Sequence, residues 1–486
     1  MDYKITGYEP EKLFHFFEEI SAIPRGSENE KEISDYLVKF AQERGLWYHQ
    51  DSFYNVIIKK EGSKGKENLP AVMLQGHIDM VCEKNSDVDH DFLKDGLDLM
   101  IKDGNLMAKG TTLGADNGVA VALMLMVMDD DNIVHPPLEC VFTTQEEIGL
   151  NGAAFLDKSL IHARTMINMD SEEEGIATVS CAGGLRINCS KNVETESLEG
   201  ILLQISIDHL TGGHSGSDIG KGRENANLLM ARILYRLLKD TDGNIVSING
   251  GNKDNAIPRK CDAVLIYTDY QEAAKAEKLA LDMAEIITKE VIASEPDFSC
   301  KISLKKGKAA ALSKKDGTDV VNAMYLAPNG VQKRNMTMDG FIETSSNMGI
   351  VATSKNSVTI VFSPRSSVAS LMDNMKQKII LLADIFGFQC DFMGEYPGWS
   401  YVDKSPIREI FKESYKELFH EELKIEAIHA GLECGLFSDA LPGLDAIAVG
   451  PAIYECHTPK ECLPLDSFER FYKLLKEVLK RLTECL

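Results

Sequence analysis

The stretch LECVFTTQEEIG (138–149) decides how this chain is read. A run dominated by apolar and β-branched residues ends in two adjacent acids, Glu146 and Glu147, and then a glycine. A short run of this kind, bounded by turn residues, predicts a strand buried on both faces. In open α/β sheets, ligands bind at the carboxyl ends of such strands. Two acids in that place are either solvated loop carboxylates, common in a chain with 75 Asp and Glu, or a pair with separate tasks. The neighbouring segments decide between these.

Working outward, AVMLQG (71–76) is a second buried strand, followed by His77 and Asp79 in GHID. RTMINMD (164–170) is a third and ends at Asp170, and LDAIAVG (444–450) is a fourth, followed by His457 in ECHTP. GADNGVAVALMLMVM (114–128) predicts a buried helix opening at a Gly-rich loop that carries Asp116. EPEKLFHFFEEISAIP (9–24) is amphipathic, and SENEKEISDYLVKFAQERG (27–45) has Ser27 and acids at its start and Gly45 at its end, as helix caps prefer. Strands alternating with helices predict an α/β domain with a mixed, mostly parallel sheet flanked by helices.

The texture changes near residue 186. ILLQISIDHL (201–210), NANLLMARILYRLLKD (225–240), NIVSING (244–250), CDAVLIYTD (261–269) and QEAAKAEKLALDMAEIITKEVIAS (271–294) read as strand, helix, strand, strand, helix. SCKISLKK (299–306), GTDVVNAMYLAPNG (317–330), GIVATS (349–354), SVTIVFS (357–363) and SLMDNMKQKIILLADIFG (370–387) repeat that order. The α/β texture returns after 388. The expected organisation is a catalytic domain in two segments, 1–185 and 388–486, with an α+β lid domain of two similar lobes inserted at 186–387.

Length and composition fit this picture. The chain has 486 residues, more than one ordinary domain, with 44% hydrophobic and 26% charged residues. A net charge of −23 argues against nucleic acid and anionic membranes as partners, since both need clustered Lys and Arg. The N-terminus shows no secretory signal, and no apolar run approaches the roughly 20 residues that span a bilayer. Eleven cysteines, odd in number and scattered singly, do not predict a disulfide framework. The expected location is cytoplasmic.

Two histidines and several carboxylates at strand ends, without a Cys-rich cluster, suit borderline-hard divalent ions such as Zn²⁺, Mn²⁺ or Co²⁺. Taken singly, each has a bland reading: His77 as a core histidine, His457 as a surface one, Asp116 or Asp170 as a cap. Their joint placement in one ordered series is hard to obtain by accident. Hydrolysis by such a centre requires one glutamate to ligate and another, unbound, to move protons to and from a water shared by the ions. In the inserted region, His214 in the Gly-rich GGHSG can reach an oxyanion, and the Arg365 fork in FSPRSS suits a free α-carboxylate.

The series GHIDMV, GADNG, TTQEEIG, NMDS, GGHSG, HAGLECG and ECHTP resembles the dinuclear-zinc exopeptidase family that includes aminoacylase and the glutamate-releasing carboxypeptidases. LGADNGVAVA, GGHSGSDI and IHAGLECGLF are most similar to its peptidase D, or aminoacyl-histidine dipeptidase, group. The resemblance implies that Asp116 bridges two ions, with His77 and Asp170 completing one and Glu147 and His457 the other. It makes Asp79 the partner that orients His77, Glu146 the general base, and Asp116–Asn117 a cis peptide. His214, Asn255 of NAIPR, Arg365, Gly435 and the Glu433 carboxylate would contact substrate, whereas Cys434 and Cys456 lie outside the family's ligand pattern. The implied activity is hydrolysis of dipeptides with a free C-terminal carboxylate, by a monomer or homodimer. An N-acyl amino acid deacylase on the same fold and a non-catalytic metal-bound scaffold are the rival readings.

Overall fold

Val72–His77 and Leu138–Thr143 are strands in which every residue is buried, as their unbroken apolar runs require. The computed structural model describes residues 3–338 and 340–485. The chain forms two units: the chain up to Ser180 with Tyr401–Ala427 and the chain from Leu432 onward, and Cys181–Ser400 with Ile428–Gly431.

The first unit is built on an eight-stranded mixed sheet, in the order Trp47–Gln50, Val56–Lys60, Leu138–Thr143, Val72–His77, Thr165–Asn168, Asp445–Ala448, Ile176–Cys181, Lys424–Ile428. The middle four strands are parallel, in register Val72↔Leu138, Val72↔Thr165 and Asp445↔Thr165. Antiparallel pairs flank them. The carboxyl ends of all four parallel strands therefore open on one edge, which carries His77, the Glu146–Glu147 pair and Asp170. Helix Ala115–Asp129 is buried on all sides, which explains its uniformly apolar sequence. It approaches strand Val72–His77 so closely that a Cβ on Gly76 would lie 2.4 Å from the Ala120 Cβ. Helices Glu11–Ser21, Lys31–Glu43 and Leu465–Cys485 each bury one face. Ser27 does not cap the second of these, which begins at Lys31; its hydroxyl donates to Asp79 instead.

In the second unit, Thr195–Asp208, Ala226–Asp240, Asn244–Gly250, Cys261–Tyr267, Tyr270–Val291 and Ser299–Leu312 form one lobe of strand, helix, two strands, helix, strand. Gly183–Asn192, Lys314–Leu326, Ile342–Thr353, Ser357–Ser366, Ala369–Phe386 and Gln389–Tyr396 form the other. In both, the strands lie fourth, first, third, second, and one sheet runs through both lobes by way of Gly250↔Val351. The repetition is real, but its seam differs from the sequence reading. SCKISLKK does not open the second repeat: its strand pairs along its whole length with Thr195–Asp208 and closes the first lobe. Gly183–Asn192 opens the second lobe, so the first is inserted within it. Because Gln389–Tyr396 pairs with Gly183–Asn192, this unit also runs past residue 387. On those two strands Cys189 and Cys390 stand opposite each other and form a disulfide, a pairing the spacing of the cysteines did not foretell. No described helix is long and apolar enough to cross a membrane.

Candidate metal centre

Strand Val72–His77 ends on His77, whose ring is 1% exposed. Its Nδ1 lies 3.1 Å from the Asp79 carbonyl oxygen and 3.4 Å from Asp79 Oδ1. Both neighbours of Nδ1 are acceptors, which leaves Nε2 as the nitrogen that would ligate a cation in place of its proton. Nε2 faces Asp116 Oδ1 at 3.1 Å and Asp170 Oδ1 at 3.3 Å. The other Asp116 oxygen, Oδ2, faces His457 Nε2 at 3.2 Å, and Glu147 Oε1 lies 3.2 Å from the same nitrogen. A tetrahedral ion with bonds of about 2.0–2.1 Å holds its ligands roughly 3.3 Å apart. The histidine–carboxylate distances of both donor triads have this spacing, and the three donor atoms of each lie within 4.8 Å of one another, so the residues present fit two divalent ions that share Asp116. Glu146 is grouped with His77 and Glu147, one donor atom of each within 4.8 Å, and shows no ion pair with either imidazole among the described residues.

Local structure places these groups. Asp116 is not past a strand but in the first turn of helix Ala115–Asp129, where it and Asn117 have non-helical backbone angles, and the Asp116–Asn117 peptide is cis. Asn117 Nδ2 donates to Asp170 Oδ1 at 2.8 Å. His457 sits in a loop well beyond Asp445–Ala448 with φ +62°, a left-handed conformation that His tolerates better than most residues. The Asp79 carboxylate is fully buried; Oδ1 accepts from Glu146 N at 3.1 Å, and Oδ2 from Glu147 N at 3.3 Å and Ser27 Oγ at 2.8 Å. The residue expected to orient His77 therefore also pins the main chain of both glutamates.

The charges follow from this packing. Burial opposes a charge on His77, but Asp170, Asp116 and Asp79 together push its pKa well above the ordinary value. Asp116 and then Glu147 push His457 up to about 11. Burial raises Asp170 to about 6, and Asp116 and Glu147 add to the rise. Asp116 moves the other way: burial raises it, but hydrogen bonds from His457 and His77 win. Glu146 is pushed well up, first by burial and then by Asp170, Glu433 and Glu147.

Glu433, expected to line the substrate pocket, has no exposed surface. It is fully buried, accepting from Thr143 Oγ1 at 2.8 Å and from Gln75 Nε2, and burial raises it to about 7. Gly435 is buried in helix Glu433–Ala440, and its N–H is taken by Leu432 O. Cys456 converges with Asp116 and Glu172 within 4.8 Å, while Cys434 is buried.

The remaining site residues belong to the second unit. His214 lies in the two-residue strand Gly213–His214, paired with Ala256–Ile257, and Asn255 O accepts from Ser215 N at 2.8 Å. Arg365, 7% exposed in strand Ser357–Ser366, donates from Nη1 to Tyr396 OH at 3.0 Å, and its buried Nε has no partner. Burial and then Arg365 lower the pKa of both His214 and His429, the latter to about 4, and His429 Nε2 contacts Ser345 Oγ at 2.7 Å. Sequence reasoning missed His429, Tyr396, Arg25 and Glu461, none of which carries a ligand-type spacing.

Fold and donor set together define the class, a metal-dependent hydrolase on an α/β scaffold. The chain belongs to peptidase family M20/M25/M40, whose model matches residues 73–481. It is 35% identical over 482 residues to the cytosol non-specific dipeptidase of Escherichia coli (strain K12), covering 99% of each chain. The crystal structure of aminoacylhistidine dipeptidase from Vibrio alginolyticus superposes with a TM-score of 0.94 at 34% identity, over 99% of this chain and 98% of that one. Aminopeptidase PepT from Bacillus cereus shares the fold, with a TM-score of 0.56 at 17% identity over 98% and 99% of the two chains.

Proposed function

We propose that the chain is a dinuclear metal-dependent dipeptidase acting on dipeptides with a free C-terminal carboxylate, of the aminoacyl-histidine type. The observation that carries this reading is that the two oxygens of Asp116 face two different imidazoles, each with a further carboxylate beside it. His77, Asp116 and Asp170 would hold one cation, and Asp116, Glu147 and His457 the other. Zn²⁺ suits these donors best, and Mn²⁺ or Co²⁺ next. Bound there, the cations supply Lewis acidity that acidifies water and polarises a carbonyl. Full-length similarity to the Escherichia coli and Vibrio alginolyticus dipeptidases supports the substrate class, and the former's name accords with a cytoplasmic location.

The chain's own residues do the rest. Glu146 accepts a proton from the attacking water and delivers it to the leaving amine. Burial and then Asp170, Glu433 and Glu147 raise its proton affinity in the metal-free chain. Asp79 keeps the His77 ring in the tautomer that leaves Nε2 to ligate a cation and fixes the backbone that carries Glu146. To the second unit we assign recognition: Arg365 for the substrate carboxylate, His214 as a neutral donor to the oxyanion, and Asn255 as a further polar contact. Gly435 is assigned to the substrate-lining segment of the first unit.

The test is a metal titration combined with hydrolysis of alanyl-histidine, β-alanyl-histidine and N-acetyl amino acids. We expect two ions per chain and turnover of the dipeptides. Turnover of only the acylated amino acids overturns the reading in favour of a deacylase, and two bound ions with no turnover overturns it in favour of a scaffold.

A further inference from the structure

Two buried charged side chains that the mechanism does not use meet at the start of helix Ala115–Asp129. Glu461 is 2% exposed and Arg25 is 1% exposed. The helix has no side-chain cap of its own, since its N-cap position is Gly114 with φ +64°. The amides left over at a helix start need acceptors, and their combined dipole favours an anion. Glu461 supplies both. Its Oε2 accepts from Leu113 N at 2.7 Å and Gly114 N at 2.9 Å, and its Oε1 from Ala115 N at 2.7 Å and Asp116 N at 3.3 Å.

Glu461 also ends a tight turn that directly follows His457, closed by Glu461 N donating to Thr458 O at 3.0 Å. Ahead of this turn His457 Nε2 faces the Asp116 carboxylate, and at its end Glu461 puts a carboxylate on the Asp116 amide. From the opposite side, Arg25 donates Nη1 to Ile78 O at 3.0 Å and Asp79 O at 3.3 Å, and Nη2 to Gly114 O. It thereby ties the segment following His77 to the loop preceding Asp116. The glycines of GADNG make room for it: a Cβ on Gly114 would lie 2.6 Å from Arg25 Nη2, and one on Gly118 would lie 2.8 Å from it.

We propose that Glu461 is the positioning residue of the two-metal centre, holding the main chain of Asp116 in register with His457 so that their donors converge on one cation. Arg25 sets the corresponding register between the His77 segment and the Gly114 loop. This inference rests on the metal assignment made above. It predicts a graded defect: the cation held by Asp116, Glu147 and His457, both of whose segments Glu461 joins, loosens more than the one held by His77, Asp116 and Asp170.

Glu461→Gln is the informative variant, because the amide keeps one acceptor but turns N–H groups toward two N–H donors. Zn²⁺ binding is measured by competition with a chromophoric chelator, the donor environment by Co²⁺ visible spectra, and the fold by urea unfolding of the chelator-treated protein. We expect one of the two ions to bind 10–100-fold more weakly, the range typical when a partner that orients a ligand is lost. The other ion, which shares Asp116 but not His457, should lose less, and the urea midpoint should stay near wild type. With dipeptide substrate, kcat should fall at limiting Zn²⁺ with KM unchanged and recover in excess Zn²⁺, and Glu461→Asp should lie between wild type and Glu461→Gln. His457→Ala separates the two levels of argument. If it binds two ions as tightly as wild type, the metal assignment itself fails. If it loses one ion while Glu461→Gln keeps both at full affinity, only the positioning role fails. Weakening of both ions in parallel with a lowered urea midpoint also overturns that role, since it marks a contribution to folding alone.

Discussion

The adjacent pair Glu146 and Glu147 gives the sharpest test of the proposed chemistry, because one substitution applied to each must produce opposite results. Glu→Gln conserves shape and removes charge. At Glu147 it replaces a carboxylate whose Oε1 stands 3.2 Å from His457 Nε2 within the Asp116 triad. Loss of a direct ligand should weaken the second ion by more than the 10–100-fold typical of outer partners. At Glu146 it removes a proton acceptor without touching either triad. General acid–base groups contribute about 10²–10⁴-fold, or roughly 3–5 kcal/mol at about 1.36 kcal/mol per decade. Glu146→Gln should therefore lose that much kcat on alanyl-histidine, keep two ions in a chelator competition, and hold KM within about threefold.

Stability gives an independent sign. The folded-state pKa of Glu146 is raised, so its favourable contribution is complete below the unfolded value and is lost as pH rises through the folded one. At neutral pH, where the unfolded chain's glutamate is ionised, this buried acid is then a burden on the chelator-treated protein, held among Asp170, Glu433 and Glu147. Glu146→Gln relieves it, and the urea midpoint at pH 7 should rise. A Glu146→Gln protein that loses an ion and unfolds more easily, beside a Glu147→Gln protein that keeps both ions, would refute the division of roles.

Three further outcomes are expected. Arg365→Lys replaces a buried fork by a point charge and forfeits about 1.5–3 kcal/mol of charged hydrogen bonding; KM for alanyl-histidine should rise about 10–100-fold, while that for its C-terminal amide, which offers Arg365 no carboxylate, should be unaffected. His429, lowered to about 4 by burial and then Arg365, stays neutral in the fold while an unfolded histidine protonates near 6.5. The unfolded state then binds more protons between those values, so stability should fall by about 3 kcal/mol as pH drops from about 6.5 to 4, and His429→Gln should flatten that slope in urea melts. Gly114→Ala combines a left-handed backbone with a Cβ 2.6 Å from Arg25 Nη2, and should lower the urea midpoint and weaken Zn²⁺ binding together.

Legibility in the sequence followed the range of the physics. The parallel strands were readable because burial on both faces writes itself into consecutive residues, and the donors at their ends because imidazole and carboxylate chemistry is carried by residue type. Asp116 joins the proposed donor set from a helix start, where its sequence placed it. Arg25 and Glu461 were invisible: each is a lone charge whose partners lie 53 to 348 residues away, and no period or spacing records such a contact. Ser27 looked like a cap because local propensity favours it there, but a buried carboxylate, Asp79, took its hydroxyl. Glu433 was misjudged for the same reason, its inward partners Gln75 and Thr143 lying on strands hundreds of residues upstream. The seam of the second unit was misplaced because strand order depends on which edges meet, and Ser299–Leu312 and Gly183–Asn192 are equally strand-like in isolation.

Two glutamates in succession can differ only if something fixes the backbone beneath them, and Asp79 does this with its two oxygens. Oδ1 takes the amide of Glu146 and Oδ2 that of Glu147, just after Gln145 turns the chain with φ +50°. The same carboxylate lies beside the His77 ring. A displacement of Asp79 would thus shift the proposed ligand His77, the proposed ligand Glu147 and the proposed base Glu146 at once. In the proposed centre Asp79 serves His77 as a metal-site partner usually does, and it would also set the separation between proton transfer and cation binding. The doubled acid of QEE would acquire its two proposed roles from the buried aspartate of GHID, 67 and 68 residues earlier in the chain.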